Sequence, residues 1–328
     1  MIPEEIRIQY NLATLVEPDG YIYCEVRKGM YGLKQAARLA FDNLVKLLAP
    51  YGYSPIRASP GLWRHAKRPT LFTLCVDDFG IKYTSKDDAN HLLAAIGDHF
   101  KYSADWEGKN YLGLDLEWNY IQRWVELSMP RYIPKALHRF QHRHPTRPQD
   151  SPHDHTEPVY GQRIQYAKED SSPLLPGTDI KRVQEVSGTF LYYGRTIDPT
   201  MLCALNEIST TQSAPTEATA KECTQLLDYA ATHPLAKIRY HASDMILKVD
   251  TDAAYLVLPT ARSRVAGHYY LSNVQADYST GTPQPNGPIL TIVQSLKNVV
   301  SSAAEAETAG VFVNAQIIIP TRETLIAM

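Results

Sequence analysis

Two adjacent carboxylates, Asp77 and Asp78, stand between the β-prone runs Leu71 to Val76 and Phe79 to Tyr83 at the spacing of a tight hairpin. Neighbouring side chains at such a tip point to opposite sides, and the flanking Leu74, Val76, Phe79 and Ile81 are expected to be buried. Charge held against apolar strands is costly unless a cation offsets it. A hard, oxygen-liganded ion such as Mg²⁺, or Mn²⁺ in its place, does so and also orients phosphate oxygens. Where carboxylates hold two such ions, the attacking oxygen and the leaving pyrophosphate are both stabilised, and little other chemistry is asked of the protein. Asp also suits a plain exposed turn, so the dipeptide by itself admits both readings.

Other residue sets suggest binding. A basic residue recurs every four positions at Arg131, Lys135, Arg139, Arg143 and Arg147, with His138, His142 and His144 interleaved. On a helix from about Pro134 to His144 that spacing makes one basic stripe, which either follows a phosphate backbone or simply faces solvent. The net charge of -2 means that any grip on nucleic acid is local. Asp250 and Asp252 alternate onto one face of a strand, while Ser302 and Glu305 form a Ser-x-x-Glu capping box two residues before Glu307. His153 and His155 would suit a metal but have no third ligand at a recognised spacing, so they read as loop. Cys24, Cys75, Cys203 and Cys223 form no Cys-x-x-Cys pair, which speaks against a disulfide framework or a cysteine zinc site. No internal repeat, Gly-rich phosphate loop or His-Glu-x-x-His helix is present.

The elements that must position these residues follow from periodicity. Tyr21 to Val26 alternates like a strand, and Ala36 to Ala49 is apolar at helical spacing until Pro50, Gly52 and Pro55 stop it. Asp87 to Phe100 reads as a helix with Leu92, Leu93 and Ile96 on one face, and Tyr111 to Trp118 with Trp124 to Leu127 as a second hairpin. A Pro-, His- and Asp-rich connector covers 145–176. Helical patterns over Arg182 to Thr211 and Thr216 to Ala231 end at His233-Pro234. Strands at Met245 to Val249, Val265 to Leu271 and Ile289 to Ser295 then precede a helix over Ser302 to Ile318. The whole is an α+β pattern with antiparallel sheets.

Several of these tracts agree with one family. LCVDDFGIKY resembles the Tyr-Val-Asp-Asp signature of reverse transcriptases, with Cys75 in place of Tyr, and Arg27 to Leu44 (RKGMYGLKQAARLAFDNL) resembles the Tyr-Gly-Leu-Lys-Gln-Ala segment of copia-type LTR retrotransposons. The resemblance implies an RNA-directed DNA polymerase that uses Mg²⁺, a dNTP, an RNA template and a DNA primer. Asp77 and Asp78 would hold metal, Gln35 and Lys34 would line the nucleotide pocket, and Tyr111, Leu112 and Gly113, within GKNYLGL, would grip the primer. Arg131, Lys135, Arg139 and Arg143 would contact nucleic acid, and Glu185 to Ser209 is similar to the helical region after the polymerase. LKVDTDAAYLV and SSAAEAETAGVFV resemble the ribonuclease H domain of the same elements, which acts on RNA:DNA hybrid. There Asp252 and Glu307 best match the catalytic, metal-binding acids, with Asp250 and Glu305 as rivals and Ala254 where the family often has a further acid.

The family's first catalytic aspartate lies upstream of Tyr21, where Asp19 is the sole candidate, and its setting Glu17-Pro18-Asp19-Gly20 is that of a turn. Further ribonuclease H aspartates lie beyond the helix that follows Ser302. Both sites are therefore expected to be incomplete, and this chain alone is expected not to polymerise DNA. Three regions are predicted: a partial palm over 1–127, a thumb or connection region over 128–242, and a truncated ribonuclease H-like α/β domain over 243–328. With 44% apolar and 21% charged residues, no apolar stretch near 18 residues and no signal-like start, the chain reads as an intracellular protein of cytoplasm or nucleus.

Overall fold

A computed structural model of the chain describes residues 3–25, 32–33, 35–154, 167–273 and 286–328. It is a mixed α and β chain in which every described sheet is antiparallel. Two compact units, Met1–Tyr102 and Ser103–Met328, make it up. No described helix is long and apolar enough to cross a membrane.

The first unit begins with the short helix α1 (Glu4–Gln9). Its main body is α2 (Ala36–Leu48), a four-stranded meander and α3 (Lys86–Gly97). The strands β1 (Tyr53–Ile56), β2 (Ser59–His65), β3 (Leu71–Cys75) and β4 (Asp78–Lys82) lie in sequence order. Register sets Trp63 opposite Phe72 and Phe72 opposite Ile81, so alternate residues of each strand share one face. Leu44 and Leu48 of α2 and Leu92, Ala95 and Ile96 of α3 cover that face; Leu92 and Ile96 are as predicted, while Ala95 enters the core in place of the expected Leu93. Trp63 and Phe72 stack at 5.4 Å between ring centroids, and Phe41 meets the edge of Trp63. Full burial of rings of this size contributes about 1.5–3 kcal/mol each. Ser85 caps α3 by accepting the Asp88 N–H, as Ser does at an N-cap.

Of the predicted strand at Tyr21 to Val26, residues 21–25 carry no regular structure, and Val26 lies outside the described residues. Alternation alone makes no strand where no neighbour takes up its hydrogen bonds.

In the second unit β5 (Asn110–Tyr111), β6 (Leu114–Asn119) and β7 (Trp124–Ser128) form the predicted second hairpin with a short extra strand. Next come α4 (Tyr132–Arg139), α5 (Gly177–Thr196), α6 (Leu202–Thr211) and α7 (Glu217–Thr232). A strand the sequence reading missed, β8 (Lys237–His241), returns to pair with β7. Its Lys237 and Arg239 both reach Glu126 of β7, at 2.6 and 2.7 Å, and hold that carboxyl below its usual range. The helical pattern predicted over Arg182 to Thr211 is broken at Ile197, because Pro199 cannot continue α5 and Asp198 caps the turn that follows. Val186, Phe190, Tyr193, Ile208, Leu226 and Ala230 form the helical core.

The unit closes with β9 (Ile246–Leu258), β10 (Arg262–Ser272) and β11 (Pro288–Ser295), ordered β11-β10-β9, and α8 (Ala303–Ala327). Ser302 caps α8 by accepting the Glu305 N–H at 3.1 Å, while the Glu305 carboxylate accepts from the backbone N–H of Ser301, one residue before the expected box partner. Val265, Ala253 and Tyr255 of the sheet meet Ala306, Ala309 and Val313 of α8. Gly267 lets the helix approach closely, since a Cβ there would lie 1.9 Å from Asn314 Oδ1. The fully buried Asn314 donates to the Ala266 carbonyl at 3.0 Å and accepts from the Tyr269 hydroxyl at 2.6 Å.

Candidate metal and nucleic-acid site

The register of β3 and β4 pairs Cys75 with Asp78, so the two turn residues are Val76 and Asp77, one position earlier than the expected Asp77-Asp78 tip, and Asp78 stands in the strand. Val76 has φ +58°, and Asp77 is not among the residues of positive φ, the pattern of a type II′ turn, which glycine normally opens. A β-branched residue there is a genuine outlier. Contrary to expectation, Val76 is not buried: it is 79% exposed, because the left-handed turn lifts it off the sheet. Leu74, Phe79 and Ile81 do pack half-buried against the core. Alternation puts Asp78, with Cys75, on the face away from the helices, and both Asp77 and Asp78 are open to solvent.

No group of three or more Asp, Glu, His or Cys gathers around a possible metal position among the described residues. Asp77 and Asp78 supply oxygens of the right kind for one hard cation, and no third acid joins them among the described residues. Asp19 sits in a turn, where its carboxylate accepts from the Tyr21 N–H and the Tyr23 hydroxyl, and those bonds hold it below the usual range. Gln35 is exposed at the start of α2, and Lys34 lies outside the described residues.

Within the second unit two predicted sets do meet. Leu112 and Gly113 form the turn between β5 and β6, with φ +53° and +79°, the two positive values of a type I′ turn. The Tyr192 hydroxyl of α5 donates to the Leu112 carbonyl at 2.7 Å and fixes the non-glycine half of that turn. Gly113 then lines a pocket of about 150 Å³ together with Asp115, Arg131 and Lys135. Arg131 is 88% exposed and 3.9 Å from Asp115, too far for a hydrogen bond, so its donors stay available to a ligand.

The basic stripe is shorter than predicted. α4 ends at Arg139 because Gln141 takes a left-handed φ of +50°, and the N–H groups of His142 and Gln141 turn back to Leu137 and His138 in a Schellman motif. Arg143 and Arg147 therefore leave the helix, and Arg139 is engaged by Glu185 at 3.3 Å. Arg131 and Lys135 remain as the face that borders the pocket.

The acids predicted as a second metal site, Asp252 and Glu307 with their rivals Asp250 and Glu305, are not brought together. Ala253 and Tyr255 face α8, so Asp250 and Asp252 lie on the opposite face of β9, beside His268 and Ala266. Glu307 is exposed on α8, next to the buried Ala306, with the sheet between it and Asp252. Glu305 is occupied by Ser301, whose hydrogen bonds hold its carboxyl below the usual range.

A further cluster escaped the sequence reading because its members span the whole unit. His153 Nδ1 lies 3.0 Å from Glu207 Oε2, and Arg264 bonds both Glu207 and, at 2.7 Å, Cys203 Sγ. The Cys203 and Glu207 hydrogen bonds push His153 up to about 10. Burial would raise Glu207, but bonds from His153 and Arg264 outweigh it and hold the carboxyl low. Burial pushes the nearby Glu222 up to about 7. The sequence places His153 in a loop, and the single local signal for the cluster is Cys203 and Glu207 at i, i+4 on α6.

Comparison with family models, with curated proteins and with solved structures finds no match.

Proposed function

We propose that the chain carries the palm, connection and ribonuclease H-like parts of a copia-type retrotransposon reverse transcriptase. By descent it is an RNA-directed DNA polymerase; by itself it engages primed template or RNA:DNA hybrid without extending it. The observation that carries the reading is the Val76 turn, which holds Asp77 and Asp78 in the open on a backbone conformation that valine resists. Strain of this kind persists where surroundings over-determine it and clusters at functional sites. The resemblance of the surrounding tracts gives that strain its meaning.

The pocket formed by Gly113, Arg131 and Lys135 supports the binding half. A turn fixed from behind by Tyr192 and two cations at one opening suit a phosphate backbone, which supplies most nonspecific affinity. The noncatalytic half rests on the carboxylates. Asp77 and Asp78 would give a Mg²⁺ or Mn²⁺ ion two of its oxygen ligands, and the described residues gather no third acid. Asp252 and Glu307 stand on opposite sides of a sheet, so hybrid cleavage is not assigned to them either.

Primer extension on poly(rA)/oligo(dT) with Mg²⁺ or Mn²⁺ is expected to give no product above background, while filter retention of the same primed template is expected at low salt. Extension at the rate of a complete enzyme would overturn the noncatalytic half. No retention at low salt would overturn the binding half.

A further inference from the structure

The four cysteines have very different surroundings. Cys24 and Cys75 are exposed, and Cys223 is buried in the helical core, where desolvation pushes its thiol up to about 12. Cys203, half-buried on α6, alone among the described cysteines has a cation as hydrogen-bond donor: Arg264 Nη1 at 2.7 Å. His153 is its second polar neighbour, itself held by Glu207. The Arg264 side chain is 9% exposed, is aimed at the sulfur, and keeps its Nε without a partner among the described residues. A buried guanidinium with a donor to spare marks a place where negative charge is favoured.

We propose that Cys203 is an oxidisable modification site, at which a hydroperoxide reacts with the sulfur between Arg264 and His153. Thiolates, not thiols, attack peroxides, and a guanidinium with an imidazolium at the sulfur is the setting in which such reactive cysteines occur. The thiol first gives its proton to solvent, the sulfur then attacks one peroxide oxygen, an S–O bond forms and the O–O bond breaks. Sulfur gives up two electrons to the peroxide and becomes a sulfenic acid. The departing hydroxide, or alkoxide from an organic hydroperoxide, takes the proton from His153 and leaves as water or alcohol. His153 is protonated at neutral pH because its value is raised to about 10, and it regains a proton from solvent. Glu207 holds the ring in place and plays no covalent part. Arg264 is retained throughout as the cation on the sulfur.

The test uses the full chain, hydrogen peroxide and dimedone, a carbon-acid trap for sulfenic acids, with each cysteine read separately by peptide mass spectrometry. Cys203 is expected to be trapped at least about ten-fold faster than Cys24 and Cys75, although both are more exposed. His153→Gln is expected to slow Cys203 by about ten-fold or more and to leave Cys75 unchanged. Cys223 reports on the fold, since it stays unlabelled while the core is closed. Should His153→Gln open the core, Glu207→Gln, which keeps an oxygen acceptor for Arg264 while loosening its hold on the His153 ring, is expected to slow Cys203 by a smaller factor. A Cys203 rate no higher than that of Cys75, or one unchanged in these variants with Cys223 still unlabelled, would overturn the proposal.

Discussion

Replacing Val76 with glycine asks how much strain the Asp77–Asp78 hairpin holds. A non-glycine residue in the left-handed region is destabilised by about 1–2 kcal/mol, and a β-branched one lies at the upper end. Val76 is 79% exposed, so losing its side chain forfeits only a few tenths of a kcal/mol of burial, at about 25 cal/mol per Å². Glycine costs about 0.5–1 kcal/mol more in unfolded-chain entropy. The balance is a stabilisation of about 0.5–1 kcal/mol for Val76→Gly. Because the chain holds two compact units, one melting temperature is a poor readout, and amide hydrogen exchange over β3 and β4 reports the first unit directly. Exchange there should slow by about 2- to 5-fold, the ratio that this energy implies. Val76→Ala should give less, since alanine still has a Cβ at φ +58°. Faster exchange in Val76→Gly than in the parent would refute the claim that the turn is strained.

Gly267→Ala should cost about 1–3 kcal/mol, read by amide hydrogen exchange over β10 and α8, because the new methyl meets Asn314 Oδ1 and forces α8 away from β10; a change under about 0.5 kcal/mol would contradict that close approach. Asn314→Ala should cost about 1–3 kcal/mol by leaving the Ala266 carbonyl and the Tyr269 hydroxyl short of partners, and a neutral result would show that water replaces it. Glu222 gives a pH dependence of definite sign. Its folded value of about 7 lies above the unfolded 4.5, so its contribution is fully present below about pH 4.5 and is lost as pH rises through about 7. Glu222→Gln should therefore equal the parent near pH 4.5 and exceed it in stability at about pH 8; the same difference at both pH values would contradict the assignment.

Local signals in the sequence carried the local structure. The α2 stripe, the pairing of β3 with β4 and the Ser302 cap each rest on residues within one or two turns of each other and form. The turn, however, falls on Val76 and Asp77 in place of the expected Asp77 and Asp78, and the Glu305 carboxylate turns to Ser301 in place of the expected box partner. What failed depends on distant partners. Tyr21 to Glu25 alternates yet pairs with no strand among the described residues, while Lys237 to His241 alternates equally and becomes β8 because Glu126 and β7 receive it. Gln141 ended the basic stripe through a left-handed turn that charge spacing does not encode. Asp252 and Glu307 are legible as acids on a strand and a helix, but which sheet face the helix covers is set by Gly267 and Asn314. The Cys203 cluster is assembled from three segments of the chain and leaves almost no trace in any one of them.

Whether Arg131 and Lys135 meet a phosphate backbone is decided by the salt dependence of RNA:DNA hybrid binding to the full chain, measured by fluorescence anisotropy. Each phosphate neutralised contributes about 0.9 to the slope of log affinity against log salt, so the double variant Arg131→Gln, Lys135→Gln should lower the slope by roughly 2 and weaken binding at low salt. Arg139→Gln, already engaged by Glu185, should change the slope little. Saturable binding with that loss of slope is the expected result. No saturable binding at low salt, or a slope untouched by the double variant, would contradict the assignment of a nucleic-acid interface to this pocket.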